Sequence, residues 1–181
     1  SLRLKGESRF ESSVRKNHAN SAISGRENSP FHVNDNINRK VVFWLGSLEK
    51  LPVDALVIPC SARLRPRSGM GRLLVSKAGP SVSEACTNIF EREAFEQSIP
   101  PLHFRLATSS IYDTKPGKLK AKKLLHVITP TFTSRYVNAC ESALHAAYLN
   151  VLSYAVEHGM KSVAFIPMAL DKENSYTPLF S

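Results

Sequence analysis

Short apolar runs, separated by glycine, proline and polar residues, dominate the chain from residue 40 onward. Four of these runs have the length of β-strands and span residues 40–46, 54–59, 124–130 and 161–168. After Asp54, the run 54–59 is continuously apolar, which is typical of a strand buried on both faces of a parallel sheet. A weaker strand is predicted within residues 104–113. Phe43 and Trp44 of the first run are predicted to lie in the core.

A helical period of apolar residues is clearest between residues 138 and 159. A second helix is predicted over residues 70–79, and a third begins at Ser81 or Ser83 and continues to about Glu93. Residues 95–104 contain two adjacent prolines and are predicted to be a loop. The apolar stripe of the long helix consists of Ala143, Leu144, Ala147, Tyr148, Val151, Leu152, Ala155 and Val156.

This alternation of strands and helices predicts an α/β fold, with helices packed on a mixed, largely parallel sheet. In such folds, ligands bind at the carboxyl ends of the strands. The loops that follow Pro59 and Met168 lie at those ends and are therefore the candidate ligand loops.

The charge and the length of the chain narrow the class of protein. Its 181 residues suffice for one domain with a core, and no run approaches the roughly 20 apolar residues of a membrane helix. The net charge of +9 favours a polyanionic partner, although a merely soluble basic protein has the same balance. Residues 1–30 are predicted to form a basic, extended N-terminal arm, and residues 31–181 the domain. The arm is Arg- and Ser-rich like a mitochondrial transit peptide, whereas Glu7, Glu11 and Glu27 argue against one.

Two runs of basic residues contain no acidic residue. Arginine binds phosphate through paired hydrogen bonds, and lysine acts as a point charge. Neither run contains an interleaved aromatic residue, so we expect contact with a nucleic-acid backbone rather than stacking on bases. The alternative interpretation is that the two basic runs are solvated faces of the domain that bind no partner. The candidate polyanion-binding residues are Arg63, Arg65, Arg67, Arg72 and Lys77 in one run and Lys115, Lys118, Lys120, Lys122 and Lys123 in the other.

The cysteines and histidines predict no metal site. Cys60, Cys86 and Cys140 lack the spacing of zinc ligands and are interpreted as reduced, mostly buried thiols of an intracellular protein. No sequence feature supplies Cys60 with a base. His126 is predicted to be a hydrogen-bonded core residue, and His145 to lie on the polar face of the long helix.

Five segments, in order over about residues 30–178, resemble a macro domain: LPVDALVIPCSARL with VSKAGP, TKPGKLKAKKLLHVITP, SRYVNACESALHAAYLNVLSYAVEHGMKSVAF and SYTP. LLHVITP is similar to the family's I-I-H-T-V-G-P. The resemblance implies a macro-domain-like three-layer sandwich. It also implies binding of ADP-ribose, and in some members hydrolysis of ADP-ribosyl bonds. The chain ends at Ser181, before the helix, strand and helix that follow in the family, so the sheet is expected to lack its C-terminal elements.

The ligand loops implied by the resemblance are degenerate in this chain. The adenine-binding Asp of the family is replaced in the turn 46–49, the second Asn of N-A-A-N is Ser61, and Gly71 stands where hydrolases carry an acidic residue. Arginines and Pro66 replace most of the glycines, and residues 169–176 contain two carboxylates and no glycine. The vestigial ADP-ribose pocket therefore comprises Ser47, Leu48, Ser61, Gly69, Gly71 and Tyr176.

These departures predict a non-catalytic binding or structural subunit of a larger assembly, with RNA or another polyanion and protein neighbours as partners. A ribonucleoprotein such as a ribosome, in the mitochondrion or elsewhere in the cell, is the assembly expected first. No cofactor, metal or membrane contact is predicted, and the loop departures disfavour ADP-ribose. Two alternatives stay open: an ADP-ribose reader or hydrolase with a rearranged pocket, and a partner of an acidic protein lattice such as a microtubule.

Overall fold

A computed structural model describes residues 35–168. The predictions for the N-terminal arm, for Tyr176 with the loop 169–176, and for the C-terminal elements lie outside the described residues. The chain divides into two compact units with a boundary between Gly46 and Ser47. Each unit is described by itself.

The first unit contains a short helix, α1 (Asp35–Asn38), and no strand among its described residues. The predicted strand 40–46 is therefore wrong. Phe43 is 90% exposed, so the prediction of a core position for Phe43 is also wrong. Leu45 is 93% exposed, and Trp44 is only partly buried. An apolar run becomes a strand only when another strand accepts its hydrogen bonds, and no described strand pairs with this one.

The second unit is built on a four-stranded sheet, described within residues 47–168, in the order β2-β3-β1-β4. Its strands are β1 (Ala55–Cys60), β2 (Ile111–Thr114), β3 (Lys123–Ile128) and β4 (Val163–Phe165). β1 runs parallel to β3 and β4, and β2 runs antiparallel to β3. Because β1 lies between two strands and under helices on both faces, all six of its residues are buried, as predicted. β4 is shorter than the predicted strand 161–168 and only half-buried.

Three helices cover the sheet: α2 (Gly69–Ala78), α3 (Pro80–Glu96) and α4 (Val137–Glu157). Single 3-10 turns occur at Leu48–Lys50 and Ser134–Tyr136. The Ser68 side chain caps α2 by accepting a hydrogen bond from the Gly71 N–H. Gly79, with a φ of 102°, separates α2 from α3, and Pro80 occupies the first turn of α3. The predicted caps Ser81 and Ser83 are therefore wrong, because the glycine already turns the chain.

The helices lie on both faces of the sheet, which confirms the three-layer α/β sandwich. On one face, Ala55, Val57, Leu125 and Val127 pack against Ala147 and Val151 of α4. The buried stripe of α4 is narrower than predicted, since Leu152 is 48% exposed and Val156 is 78% exposed. A helix lying on a flat sheet buries only the residues that point straight at it.

Candidate functional site

The chain turns back sharply after β1. This turn lies where the parallel strands β1, β3 and β4 have their carboxyl ends, which we call the carboxyl edge of the sheet. Cys60 forms a β-bridge with Pro66. The Ser61 N–H donates to the Arg65 carbonyl (2.8 Å), and the Arg67 N–H donates to the Pro59 carbonyl (3.0 Å). Leu64 takes a left-handed conformation (φ 57°), which closes the turn. Residues 61–67 are thus a tight hairpin and not an open glycine loop.

The backbone donors of this hairpin are already in use. The Leu64 N–H donates to the Ser61 carbonyl (2.9 Å), and the Gly71 N–H donates to Ser68 Oγ (2.9 Å). Pro66 has no N–H to offer. The Ser61 hydroxyl faces its own turn and accepts from the Arg63 N–H at 3.5 Å. A phosphate cradle needs several free N–H groups aimed at one point, and this loop directs most of its N–H groups inward.

The two glycines at the start of α2 have different surroundings. A Cβ on Gly71 would lie 3.2 Å from Pro66 Cβ and 3.3 Å from Ile58 Cγ2, so the helix packs closely on the hairpin at this point. A Cβ on Gly69 would meet nothing within 4 Å. A side chain at Gly71 would therefore be tightly packed, whereas Gly69 borders open space.

The structure gathers only part of the predicted pocket. Ser61, Gly69 and Gly71 lie together at the carboxyl edge. The turn that contains Ser47 and Leu48 is held near the other end of α2, where Glu49 Oε1 lies 2.6 Å from Lys77 Nζ and the Glu49 carbonyl accepts from the Lys120 N–H (3.1 Å). Tyr176 lies outside the described residues.

The arginines of the carboxyl edge are held by neutral partners. Arg67 Nη2 donates to Thr131 Oγ1 (2.6 Å), a residue beyond the end of β3. Arg67 Nε is buried, and none of the described residues forms a hydrogen bond with it. Arg72 Nη1 donates to the Arg67 carbonyl (2.9 Å), and Arg63 Nη2 donates to the Leu102 carbonyl (2.8 Å). Arg65 is exposed. Within the described residues none of these four guanidinium groups forms an ion pair, so their positive charge is uncompensated.

The second basic run lies at the opposite side of the sheet, where the parallel strands have their amino ends, which we call the amino edge. Lys123 begins β3 and pairs with Ala55, the first residue of β1, and the Lys118 N–H donates to the carbonyl of Ala78 at the end of α2 (3.0 Å). Six strand residues of about 3.3 Å each separate the two edges. The hairpin arginines of the first run and the lysines of the second run therefore lie at opposite edges, whereas Lys77 of the first run lies at the amino edge with the second run.

Three of the candidate cations are neutralised by acidic partners. Lys77 pairs with Glu49 (2.6 Å), Lys122 with Asp54 (2.7 Å), and Lys123 with Asp113 (2.8 Å). The hydrogen bond from Lys122, with others from the Lys161 and Ser162 backbone, lowers the pKa of Asp54 to about 2. Lys115, Lys118 and Lys120 are exposed and have no such partner in the described part of the chain.

A buried cluster of two thiols and an imidazole lies behind the hairpin. His126 Nε2 is hydrogen-bonded to Thr114 Oγ1 (2.9 Å), and Nδ1 lies 3.8 Å from the sulfurs of Cys60 and Cys86. This confirms the hydrogen-bonded core histidine. Sequence reasoning missed the contact with Cys60, since 66 residues separate the two positions.

The cluster is uncharged at neutral pH. Burial lowers the pKa of His126 to about 4, raises the pKa of Cys86 to about 11, and also raises the pKa of Cys60. A neutral thiol is a poor nucleophile, so the neighbouring imidazole does not make Cys60 reactive. All three cysteines are free and buried. The described residues contain no group of three or more His, Cys, Asp or Glu side chains that could hold a metal ion.

Comparison with known proteins identifies the class. The family model of the macro domain matches residues 57–172. Ganglioside-induced differentiation-associated protein 2 is 31% identical over 137 residues in Homo sapiens and 30% identical over 144 residues in Xenopus tropicalis. These matches cover 76% and 80% of this chain. The chain therefore belongs to the macro-domain family.

Solved structures show the same fold. The crystal structure of the macro domain of ganglioside-induced differentiation-associated protein 2 has a TM-score of 0.61 at 31% identity, and the match covers 76% of this chain and 61% of that one. An Oceanobacillus iheyensis macrodomain with ADP has a TM-score of 0.63 at 18% identity, covering 73% and 65%. A Trypanosoma brucei macrodomain in complex with ADP-ribose has a TM-score of 0.54 at 23% identity, covering 72% and 48%.

The chain spans about a quarter of the length of the curated relatives it matches, 25% of the human protein and 26% of the Xenopus tropicalis protein. Among the described helices, none has both the length and the apolar character needed to cross a membrane.

Proposed function

We propose that this macro domain is non-catalytic and binds RNA or another polyanion through the arginines of its carboxyl edge, as a binding or structural module of a larger assembly. The observation that carries the proposal is that arginine side chains, and not backbone N–H groups, are the hydrogen-bond donors available at this edge. The hairpin directs its backbone N–H groups inward, while Arg63, Arg65 and Arg67 supply charge without an acidic partner in the described residues.

Loss of catalysis is supported by the surroundings of Gly71. The macro-domain resemblance places the water-activating acidic residue of hydrolases at this position. Gly71 supplies no carboxylate, and it is buried with Pro66 and Ile58 close around the position of a Cβ. Asp54, Glu49 and Asp113 are engaged by lysines. A general base needs an unengaged proton acceptor, such as a carboxylate or an imidazole, within hydrogen-bond reach of the reacting water.

The geometry of the arginines supports binding to a phosphate backbone. Arg67 and Arg72 are already held in place by Thr131 and by the Arg67 carbonyl. A side chain that is fixed before binding loses less conformational entropy when it contacts a phosphate. Each phosphate neutralised releases counterions, so the affinity should fall with salt.

ADP-ribose binding is the second candidate, favoured by the family and by relatives solved with ADP and with ADP-ribose. One structural feature agrees with it: Gly69 borders open space at the start of α2, where the first N–H groups of a helix attract anions. This candidate predicts that Gly69→Val abolishes binding of ADP-ribose. The arginine surface predicts that the same change leaves RNA binding unaltered.

The test is a calorimetric titration of the chain with ADP-ribose and, in parallel, with a single-stranded RNA of about ten nucleotides at about 50 mM and about 200 mM salt. RNA binding that weakens with salt, without heat from ADP-ribose, supports the proposal. Micromolar ADP-ribose binding contradicts the loss of the pocket, and silence from both ligands contradicts the polyanion surface. Co-sedimentation of the full-length protein with ribonucleoprotein particles, before and after ribonuclease treatment, tests the assembly role.

A further inference from the structure

A cavity of about 520 Å³ lies between the hairpin and α3. Neither Ser61 nor the glycines Gly69 and Gly71 line it. Its volume falls within the range of about 300–1,000 Å³ that is typical of small-molecule sites. Its apolar walls include Leu64, Val75 and Phe90, and its rim includes Arg63, Arg65 and Glu91.

The deep walls of the cavity are apolar and firmly packed. Leu64 and Cys86 are buried, and the Phe90 ring packs on the Phe104 ring, with 5.3 Å between the ring centres. The Thr87 hydroxyl is turned away, since it donates to the Ser83 carbonyl at 3.1 Å. An apolar ligand body would therefore meet side chains that are already in place.

The rim of the cavity has an unbalanced charge. Arg63 and Arg65 contribute two positive charges and Glu91 one negative charge, and no ion pair within the described residues engages any of the three. Arg63 Nη2 donates to the Leu102 carbonyl (2.8 Å), which fixes one side of the rim. Arg65 is exposed. The rim therefore has one surplus positive charge, and Arg65 is the guanidinium group available to a ligand.

We propose that this cavity binds a small apolar monoanion, whose aromatic or branched aliphatic body packs against Leu64, Val75 and Phe90 and whose carboxylate pairs with Arg65. One negative charge balances the rim, and the guanidinium fork matches a carboxylate bidentately. This site goes beyond the proposed function. It shares Arg63 and Arg65 with the polyanion surface but does not depend on it, because the apolar walls can hold a ligand whether or not a polyanion binds.

The test uses 3-phenylpropionate as the probe and its neutral isostere 3-phenylpropionamide as the comparison, followed by two-dimensional NMR of the labelled chain. We expect 3-phenylpropionate to bind with a Kd below about 1 mM and to shift signals of Leu64, Val75 and Thr87. Arg65→Gln should weaken its binding roughly tenfold and remove the preference over the amide. Thr87→Trp, which fills the cavity from the exposed side of α3, should abolish binding of both compounds.

Arg92→Gln is the matched control, because Arg92 is an exposed arginine of α3 that does not line the cavity. It should leave the affinity unchanged. Three results would overturn the proposal: equal binding of the acid and the amide, an Arg65→Gln affinity equal to that of the parent chain, or signal shifts confined to residues outside the cavity. Circular dichroism of each variant establishes that the fold is intact, and Arg65→Gln, at an exposed position, keeps the test decisive if Thr87→Trp does not fold.

Discussion

His126 links the stability of the molecule to pH. Its imidazole is buried beside Thr114 and two thiols, and burial lowers its pKa from 6.5 to about 4. The unfolded chain therefore binds a proton below pH 6.5 that the folded chain refuses until about pH 4. We expect the free energy of unfolding to fall by about 3 kcal/mol as the pH drops from 6.5 to about 4. Below that pH the folded and unfolded chains both bind the proton, so His126 causes no further loss of stability. Urea denaturation between pH 7 and pH 4 measures the slope.

His145 provides the control for this effect, since it lies exposed on α4. His145→Gln should keep the slope, whereas His126→Gln should flatten it. Asp54 loses its contribution to the free energy of unfolding at lower pH, between its ordinary pKa of 3.8 and about 2. The effects of His126 and Asp54 on stability can therefore be measured separately. An imidazole signal of His126 that titrates near pH 6.5 in the folded protein would contradict the prediction.

Gly69 and Gly71 give a second prediction from single residues. Gly71→Ala places a methyl group 3.2 Å from Pro66 Cβ, so we expect a loss of about 1–3 kcal/mol in the free energy of unfolding. Gly69→Ala meets no neighbour and should leave stability unchanged or raise it by up to about 1 kcal/mol. Urea denaturation of the two variants side by side measures both. Equal destabilisation would mean that the hairpin does not pack on the start of α2.

At the scale of elements, the loop between β2 and β3 is anchored to the end of α2. Gly117 (φ 59°) approaches so closely that a Cβ there would run into the Ala78 carbonyl oxygen, and the Lys118 N–H donates to that oxygen at 3.0 Å. Gly117→Ala should therefore separate the loop from the helix and destabilise the fold by more than about 3 kcal/mol. Thermal unfolding and hydrogen exchange of the Lys118 amide measure the loss.

The matched control is Gly159→Ala, because Gly159 has the same left-handed backbone (φ 63°) with nothing within 4 Å of its Cβ. Only backbone strain acts there, and we expect a loss of about 1 kcal/mol. If both variants lose the same amount, strain alone explains Gly117 and the anchor contributes nothing.

The elements also show which parts of the fold the sequence could predict. The sequence predicted β1, β3 and α4 because their apolar residues are the ones that pack against neighbouring strands and helices. The hairpin was not, because the turn depends on a left-handed Leu64, a conformation for which leucine gives no signal. The run 40–46 was predicted wrongly because apolar residues alone do not supply a pairing strand. The cluster around His126 joins residues 40 and 66 positions apart, which no local pattern shows.

For the whole molecule, the net charge of +9 says less than its distribution. Glu49, Asp54 and Asp113 engage three of the six candidate lysines at the amino edge, whereas the arginines at the carboxyl edge are held only by neutral groups in the described residues. A polyanion should therefore distinguish the two edges, although the amino edge has more of the candidate cations, six against four. This asymmetry can be measured through the salt dependence of RNA affinity.

We expect the logarithm of the RNA association constant to fall with the logarithm of salt concentration, with a slope of about −0.7 for each phosphate contacted. Arg72→Gln removes one contact at the carboxyl edge and should reduce the slope by about 0.7 without changing the fold. Arg92→Gln removes the same charge from α3, outside both basic runs, and should leave the slope unaltered. Fluorescence anisotropy at four salt concentrations gives the slopes. A slope that responds to Lys118→Gln and not to Arg72→Gln would move the polyanion surface to the amino edge, because only the contacts made in the complex release counterions.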